Sequence, residues 1–260
     1  NISDTICDPK SIEPLPPLSV DEPTVSMTFQ VNDSPFAGRE GKYISSRNLK
    51  ERLETELMHN VALRVEQGDS PDKFKVSGRG ELHLSVLIEN MRRENFELSV
   101  SRPQVIQKKI EGIIHEPFEE IIIDIEGKHR GPIMEEMGLR KADLRKMEPD
   151  DQGRLKLQFI APSRGMISFR SQFMTLTKGT GIMTRTFNHY GPVKKGDVVK
   201  RQNGVLVSMA SGKTVAYSLF NLQERGRMFL GKGQDVYIGQ IIGLHSRNND
   251  LSVNPTKQNN

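Results

Sequence analysis

The chain has 260 residues, a net charge of +4 and 35% hydrophobic residues, which suits two or three small cores better than one large one. Charged residues reach 27% with no low-complexity tract, so general disorder is excluded. No apolar run attains the roughly 18 residues of a membrane span, and one cysteine, Cys7, excludes an internal disulfide framework or a multi-cysteine metal site.

Asn1-Ile2-Ser3-Asp4 carries neither an initiator Met nor the basic-then-apolar layout of a signal peptide, so the start reads as a cut chain. A spectator thiol at Cys7 fits a reducing cytoplasm. Charge is unevenly spread. Residues 1–103 hold 13 Lys/Arg against 17 Asp/Glu, residues 104–190 hold 14 against 12, and residues 191–260 hold 10 against 4. The basic excess grows towards the C-terminus, as a polyanion-facing end would require; a solvated basic surface accounts for the charge alone equally well.

In chain order, residues 1–21 are rich in Pro, Ser and Asp and read as a linker from an upstream domain. Thr24–Val31 alternates strictly, the pattern of a half-buried strand. A Gly-rich loop with Gly38 and Gly41 follows, then a helix with Leu49, Leu53 and Leu57 on one face, opened by an Asn48/Glu51 capping pattern. Val61–Val65 and Phe74–Ser77 read as strands about a turn, Leu84, Leu87, Ile88 and Met91 as a second helix, and Phe96–Val100 as a closing strand. The order is β-α-β-β-α-β, a split βαβ unit.

The same order recurs downstream. Ile121–Ile125 reads as a strand, and Ile133, Met134 and Met137 as a helix entered through Gly131-Pro132. Asp143–Met147 and Leu155–Ile160 read as strands, Met166, Phe169, Phe173 and Leu176 as one helix face, and Gly181–His189 as the last strand. From Gly191 onward, short apolar runs separated by Gly clusters suggest a small β-rich domain: Val205–Val207, Val215–Tyr217, Val236–Ile238 and Gln240–Gly243. Its end, Thr256–Asn260, reads as a polar tail with nothing to pack on. The expected class is α+β: a linker over 1–21, ferredoxin-like domains over 22–105 and 106–192, and an incomplete β-rich domain over 193–260.

Catalytic and metal chemistry finds little footing. Ser211-Gly212-Lys213-Thr214 invites a phosphate-loop reading, but the loop needs a glycine five residues before its Gly-Lys pair, and position 207 is Val. The six histidines show no paired metal-ligand spacing. His83 is expected to pack or cap, and Glu119/Glu120 and Asp150/Asp151 to be solvated charge. No nucleophile, base and orienting partner assemble, so neither an enzyme nor a cofactor or metal site is expected in these residues.

Basic side chains at loops and element ends stand out instead. In the second unit these are Lys128, His129, Arg130, Arg140, Lys141, Arg145, Lys146, Arg164 and Lys178; in the last domain, Lys194, Lys195, Lys200, Arg201, Lys213, Arg225, Arg227, Lys232 and Arg247. Loop-borne Arg and Lys suit an irregular phosphate surface such as folded RNA, which is recognised by shape. Of these, Lys128, His129, Arg130, Arg140, Lys141, Arg145, Arg164, Lys178, Arg201, Lys213, Arg225, Arg227, Lys232 and Arg247 are the candidate contacts to such an RNA.

Several strings carry a family resemblance. Asp21-Glu22-Pro23, Ser77-Gly78-Arg79-Gly80-Glu81-Leu82-His83-Leu84, Glu116-Pro117 and Phe187-Asn188-His189-Tyr190 resemble domains III and V of elongation factor G. Arg201–Leu206, Leu222–Gly226, Gly239–Gly243 and His245–Leu251 resemble the C-terminal domain peculiar to the BipA/TypA family of translational GTPases. The resemblance spans about residues 12 to 254. It implies a cytoplasmic, ribosome-associated bacterial protein, monomeric and without membrane contact. Its GTP and Mg would be bound by an upstream GTPase domain. Its partners would be large-subunit rRNA and proteins at the A-site region, together with tRNA, and its roles would lie in stress- or cold-conditional translation and large-subunit assembly. The chain is expected to be a C-terminal portion with only part of that last domain, which in the family continues past Val253-Asn254-Pro255, so its rRNA- and tRNA-contacting loop is not assigned to residues of this chain. The alternative is a free-standing regulatory protein whose paired ferredoxin-like units hold a small ligand in a polar cavity between them.

Overall fold

A computed structural model of the chain describes residues 5–16, 22–151, 153–196, 198 and 203–258. It divides into two compact units, residues 1–198 and 199–260. The larger contains two sheets.

The first sheet is built from β1 (Val25–Val31), β2 (Arg64–Gln67), β3 (Lys73–Gly78) and β4 (Leu98–Val100), with helices α1 (Ser46–His59) and α2 (Glu81–Arg93). Its order is β2-β3-β1-β4 and each neighbouring pair is antiparallel, as a split βαβ unit demands. Alternation aims Val25, Met27 and Phe29 from β1 and Phe74 and Val76 from β3 at the helices, which return Leu49, Leu53, Leu84, Leu87 and Met91. Two local expectations change. The cap of α1 is Ser45, whose Oγ accepts the Asn48 amide at 3.2 Å, so the capping residue lies three positions before Asn48. Val61–Leu63 form a turn that buries Ala62 and Leu63, and the strand begins at Arg64.

Two short strands, β5 (Gln104–Val105) and β6 (Lys108–Ile110), lead into the second sheet; β5 pairs with β1 and β6 with the next strand. That sheet comprises β7 (Ile113–Glu126), β8 (Asp143–Pro149), β9 (Arg154–Pro162) and β10 (Ile182–Pro192), in the order β10-β7-β9-β8. The equivalent strands occupy equivalent places, so the chain holds two tandem ferredoxin-like units. Helices α3 (Arg130–Leu139), α4 (Ser163–Met166) and α5 (Phe169–Leu176) cover one face. The core is Ile121, Ile123 and Ile125 against Leu155, Leu157 and Phe159, closed by Ile133, Met137, Met166, Phe169 and Phe173. The single helix expected over Met166–Leu176 is two pieces, because Ser168 adopts a left-handed φ of 62°. The apolar stripe survives the break, with Met166, Phe169 and Phe173 all buried.

The smaller unit has β11 (Val205–Ser208), β12 (Gly212–Lys213), α6 (Ala216–Gln223), β13 (Gly226–Met228), β14 (Asp235–Val236), β15 (Ile241–His245) and β16 (Leu251–Val253). Four strands pair in the order β13-β15-β11-β16, and β12 pairs with β14. Its core is Leu206, Val236, Ile242 and Val253. Val215-Ala216-Tyr217, expected as a strand, instead leads into α6. The two residues after Val253 are fixed against the start of α6. Pro255 is buried, its carbonyl accepts the Val215 amide at 3.0 Å, and the Asn254 carbonyl accepts Ser218 Oγ at 2.5 Å. The polar run from Thr256 therefore begins only after two residues that pin the start of α6.

Candidate nucleic-acid interface

Strand register sorts the basic residues of the second ferredoxin-like unit between its two ends. Ile182 pairs with Asp124, and Glu126 pairs with Arg154, so the loops 126–130, 149–154 and 177–182 share one end of the sheet. Lys128, Arg130 and Lys178 belong to that end and are exposed. Lys128 Nζ lies 2.5 Å from Glu126 Oε2, and its hydrogen bond, with help from Thr180, holds the Glu126 carboxyl below the usual glutamate range. No ion pair engages Arg130 or Lys178 among the described residues. His129, expected in the same surface, is buried instead, and its Nε2 finds no hydrogen-bond partner among the described residues. It sits at the start of α3, where the turn 127–129 folds its ring inward.

At the opposite end the basic residues are spent internally. Arg140 is buried: Nε donates to Glu136 Oε1 at 2.8 Å, Nη1 to the Gly165 carbonyl at 2.5 Å and Nη2 to Gln172 Oε1 at 2.7 Å. Its guanidinium also lies 4.7 Å from the Phe169 ring centroid. Arg164 donates from Nε to Glu116 Oε2 at 2.6 Å and from Nη2 to the Lys194 carbonyl at 2.7 Å, and Glu116 has no exposed surface. The Lys141 carbonyl accepts Lys194 Nζ at 2.8 Å, and Lys141 itself is half-buried with a φ of 62°. Arg140 and Arg164 thus act as internal struts, each with all three guanidinium nitrogens hydrogen-bonded inside the fold. Arg145 stays exposed on β8, beside the bulge between Leu144 and Lys146.

In the smaller unit Arg225, Arg227 and Arg247 come together. Arg227 is on β13 opposite Leu244, and the Arg225 carbonyl accepts the Ser246 amide at 2.9 Å, next to Arg247. All three are exposed, with no carboxylate partner among the described residues. Lys213 and Lys232 form a second group, because the Thr214 carbonyl accepts the Gly233 amide at 2.8 Å. Lys213 Nζ is 3.4 Å from Asp235. The Gly-Lys-Thr string is strand and turn: Lys213 pairs with Asp235 on β14, and Thr214 Oγ1 donates to the Gly231 carbonyl at 2.7 Å. Arg201 lies outside the described residues.

Two features escaped the sequence reading. Glu119, expected to be solvated, is buried and binds Arg185 of β10, Oε2 to Nε at 2.7 Å and Oε1 to Nη2 at 3.1 Å. Burial pulls the Arg185 guanidinium down, and the Glu119 and Glu81 carboxylates more than offset it, so its pKa is raised. Arg79 and Arg170 are exposed with no ion pair among the described residues, and neither is among the contacts expected from sequence. For Arg79 a signal was present, since it is flanked by glycines at a strand-to-helix junction. His83 caps that junction as expected, its Nδ1 accepting the Arg79 amide at 3.3 Å.

The comparisons with known proteins cover most of these elements. Residues 203–260 match the TypA/BipA C-terminal domain, and residues 113–201 match the elongation factor G C-terminus. The protein named large ribosomal subunit assembly factor BipA in Salmonella typhimurium is 61% identical over 254 residues, 98% of this chain and 42% of that protein. Its namesake in Escherichia coli K12 is 60% identical over the same shares. The one in Haemophilus influenzae is 59% identical over 98% of this chain and 41% of its own length. The chain thus spans about two fifths of the length of these relatives.

Proposed function

Since the chain belongs to the TypA/BipA family, we propose that it is the ribosome-binding part of a bacterial translational GTPase serving large-subunit assembly. One observation carries this reading: near-complete coverage of the chain, at about 60% identity, by proteins named for that role. The exposed arginines support it. Arg130, Arg145, Arg225, Arg227 and Arg247, at a helix start, on turns and on edge strands, present guanidinium groups with no carboxylate partner among the described residues, which suits an irregular phosphate surface.

In this reading the tandem ferredoxin-like units and the β-rich unit position the protein on large-subunit rRNA and proteins near the A site, and on tRNA. GTP and magnesium act elsewhere in the whole protein, whose ribosome-dependent hydrolysis these residues support without contributing catalytic groups. The setting is the bacterial cytoplasm under cold or stress, with the protein acting as a monomer.

The test is co-sedimentation of the chain with purified 50S subunits across a salt series. Binding should be weak and should fall steeply between about 50 and 200 mM salt, as each released counterion gains less entropy in more concentrated salt. The charge reversals Lys128→Glu/Arg130→Glu and Arg225→Glu/Arg227→Glu should each weaken it more than Arg92→Glu/Arg93→Glu, whose arginines already bind Glu89. Binding indifferent to salt, or equal effects of all three pairs, would refute the proposed face.

A further inference from the structure

The two ferredoxin-like units enclose between them a half-open cavity of about 250 Å³. One wall is the turn from β3 into α2, with Arg79, Gly80, Glu81 and Leu82; the other is β10 from Met183 to Phe187, with Arg170 from α5. Its carboxylates are already engaged. Glu119 is held in both oxygens by Arg185. Glu81 accepts the Ser168 amide at 2.8 Å on one oxygen and faces Arg185 Nη1 at 3.5 Å with the other. Arg185 in turn donates to the Met166 carbonyl at 3.0 Å. This network sets two carboxylates against one guanidinium, and Arg79 and Arg170, one from each unit and with no ion pair among the described residues, bring the charged side chains lining the space to a net +1.

Two guanidinium forks at a cavity rim suit a tetrahedral dianion, because each can donate two parallel N–H bonds to a pair of its oxygens. The opposite character is present as well. Leu82 is 65% exposed and Phe187 37% exposed, and both line the cavity, so an anion alone would leave apolar surface uncovered. The volume lies just below the roughly 300–1,000 Å³ of sites for drug-sized ligands, which limits the occupant to about one phosphate and one ring.

We propose that this cleft binds a small phosphate monoester, its phosphate held between Arg79 and Arg170 and its apolar part against Leu82 and Phe187. The ligand bridges the two units, so its binding free energy adds to their docking and raises the stability of the larger unit by mass action. The site is separate from the arginines assigned to the ribosome, so either reading can fail without the other.

The test uses phenyl phosphate as probe, with inorganic phosphate and a single-stranded RNA hexamer as comparison arms, titrated calorimetrically into the 260-residue chain. Phenyl phosphate should bind one equivalent, at least about tenfold tighter than inorganic phosphate, and raise the midpoint of thermal unfolding. Arg79→Ala and Arg170→Ala should each weaken binding about tenfold, with the double variant abolishing it and Arg92→Ala leaving it unchanged. Both arginines are exposed and without an ion pair among the described residues, so the variants should fold; Arg79→Gln and Arg170→Gln serve if either Ala variant unfolds early. Absence of saturable binding below about 10 mM, or binding insensitive to both substitutions, overturns the proposal. So does RNA binding that is lost in the double variant while phenyl phosphate fails to bind, which would reassign the arginines to a polynucleotide.

Discussion

Arg140 and Glu136 form an ion pair at 2.8 Å with both side chains under 10% exposed, inside the second ferredoxin-like unit. The pair locks α3 to the α4–α5 segment, because the same guanidinium reaches the Gly165 carbonyl and Gln172. A residue that reads from sequence as an RNA contact is therefore a fastening within the fold.

Removing one partner of such a pair leaves an uncompensated buried charge. Arg140→Ala should cost about 3–5 kcal/mol, whereas the double replacement Arg140→Met/Glu136→Leu should cost much less, since it removes both charges and keeps the volume. Urea unfolding of the three chains, compared at constant m-value, measures the difference. Equal losses would mean that the pair is not electrostatically coupled.

Arg225, by contrast, should bear on binding and hardly on stability. Surface substitutions of this kind usually fall within about 0.5 kcal/mol. If Arg225 contacts one phosphate, Arg225→Ala should lower the slope of log affinity for 50S subunits against log salt by about 1. An unchanged slope with unchanged stability would remove Arg225 from the interface.

Glu97 organises the loop from Asn32 to Gly41, accepting the Gly38 and Glu40 amides at 2.8 and 2.9 Å, the Gly41 amide at 3.2 Å and Asn32 Nδ2 at 2.7 Å. Burial raises its pKa, but these hydrogen bonds together lower it further, so the folded carboxyl titrates below the ordinary 4.5. A depressed carboxylate stabilises the fold above its unfolded pKa and loses that contribution as pH falls through the folded value. Hydrogen exchange at Gly38 and Gly41, corrected for intrinsic rates, should thus stay slow above about pH 4.5 and accelerate on further acidification. Glu97→Gln should exchange several-fold faster at neutral pH and lose the acid transition.

Gly226 should tolerate no side chain. A Cβ there would lie 1.9 Å from the Leu244 carbonyl oxygen, in the β13–β15 pairing, where neither backbone can yield. Gly226→Ala should destabilise the smaller unit by about 3 kcal/mol or more, while Gly231→Ala, which meets nothing within 4 Å, should be near neutral. Calorimetric unfolding of both variants checks the contrast.

Sequence periodicity alone determined the two βαββαβ units, since Val25, Met27 and Phe29 alternate and Leu84, Leu87 and Met91 recur at helical spacing whatever they pack on. The family strings were legible for the same reason: they are local. Local patterns misled where a neighbour distant in sequence decided the outcome. Val215–Tyr217 has strand composition but enters a helix, where Pro255 and Asn254, far along the chain, hold its first turn. The basic residues divide by the same rule. Lys and Arg look alike in sequence, and only packing buries the Arg140–Glu136 pair, whose members lie four apart on one helix, and brings Glu116 to Arg164 from 48 positions away, while Arg79, Arg170, Arg225 and Arg227 have no carboxylate partner among the described residues. Charge type is a property of the residue; whether that charge is spent inside the fold or offered to a partner depends on what the tertiary structure places within about 4 Å of it.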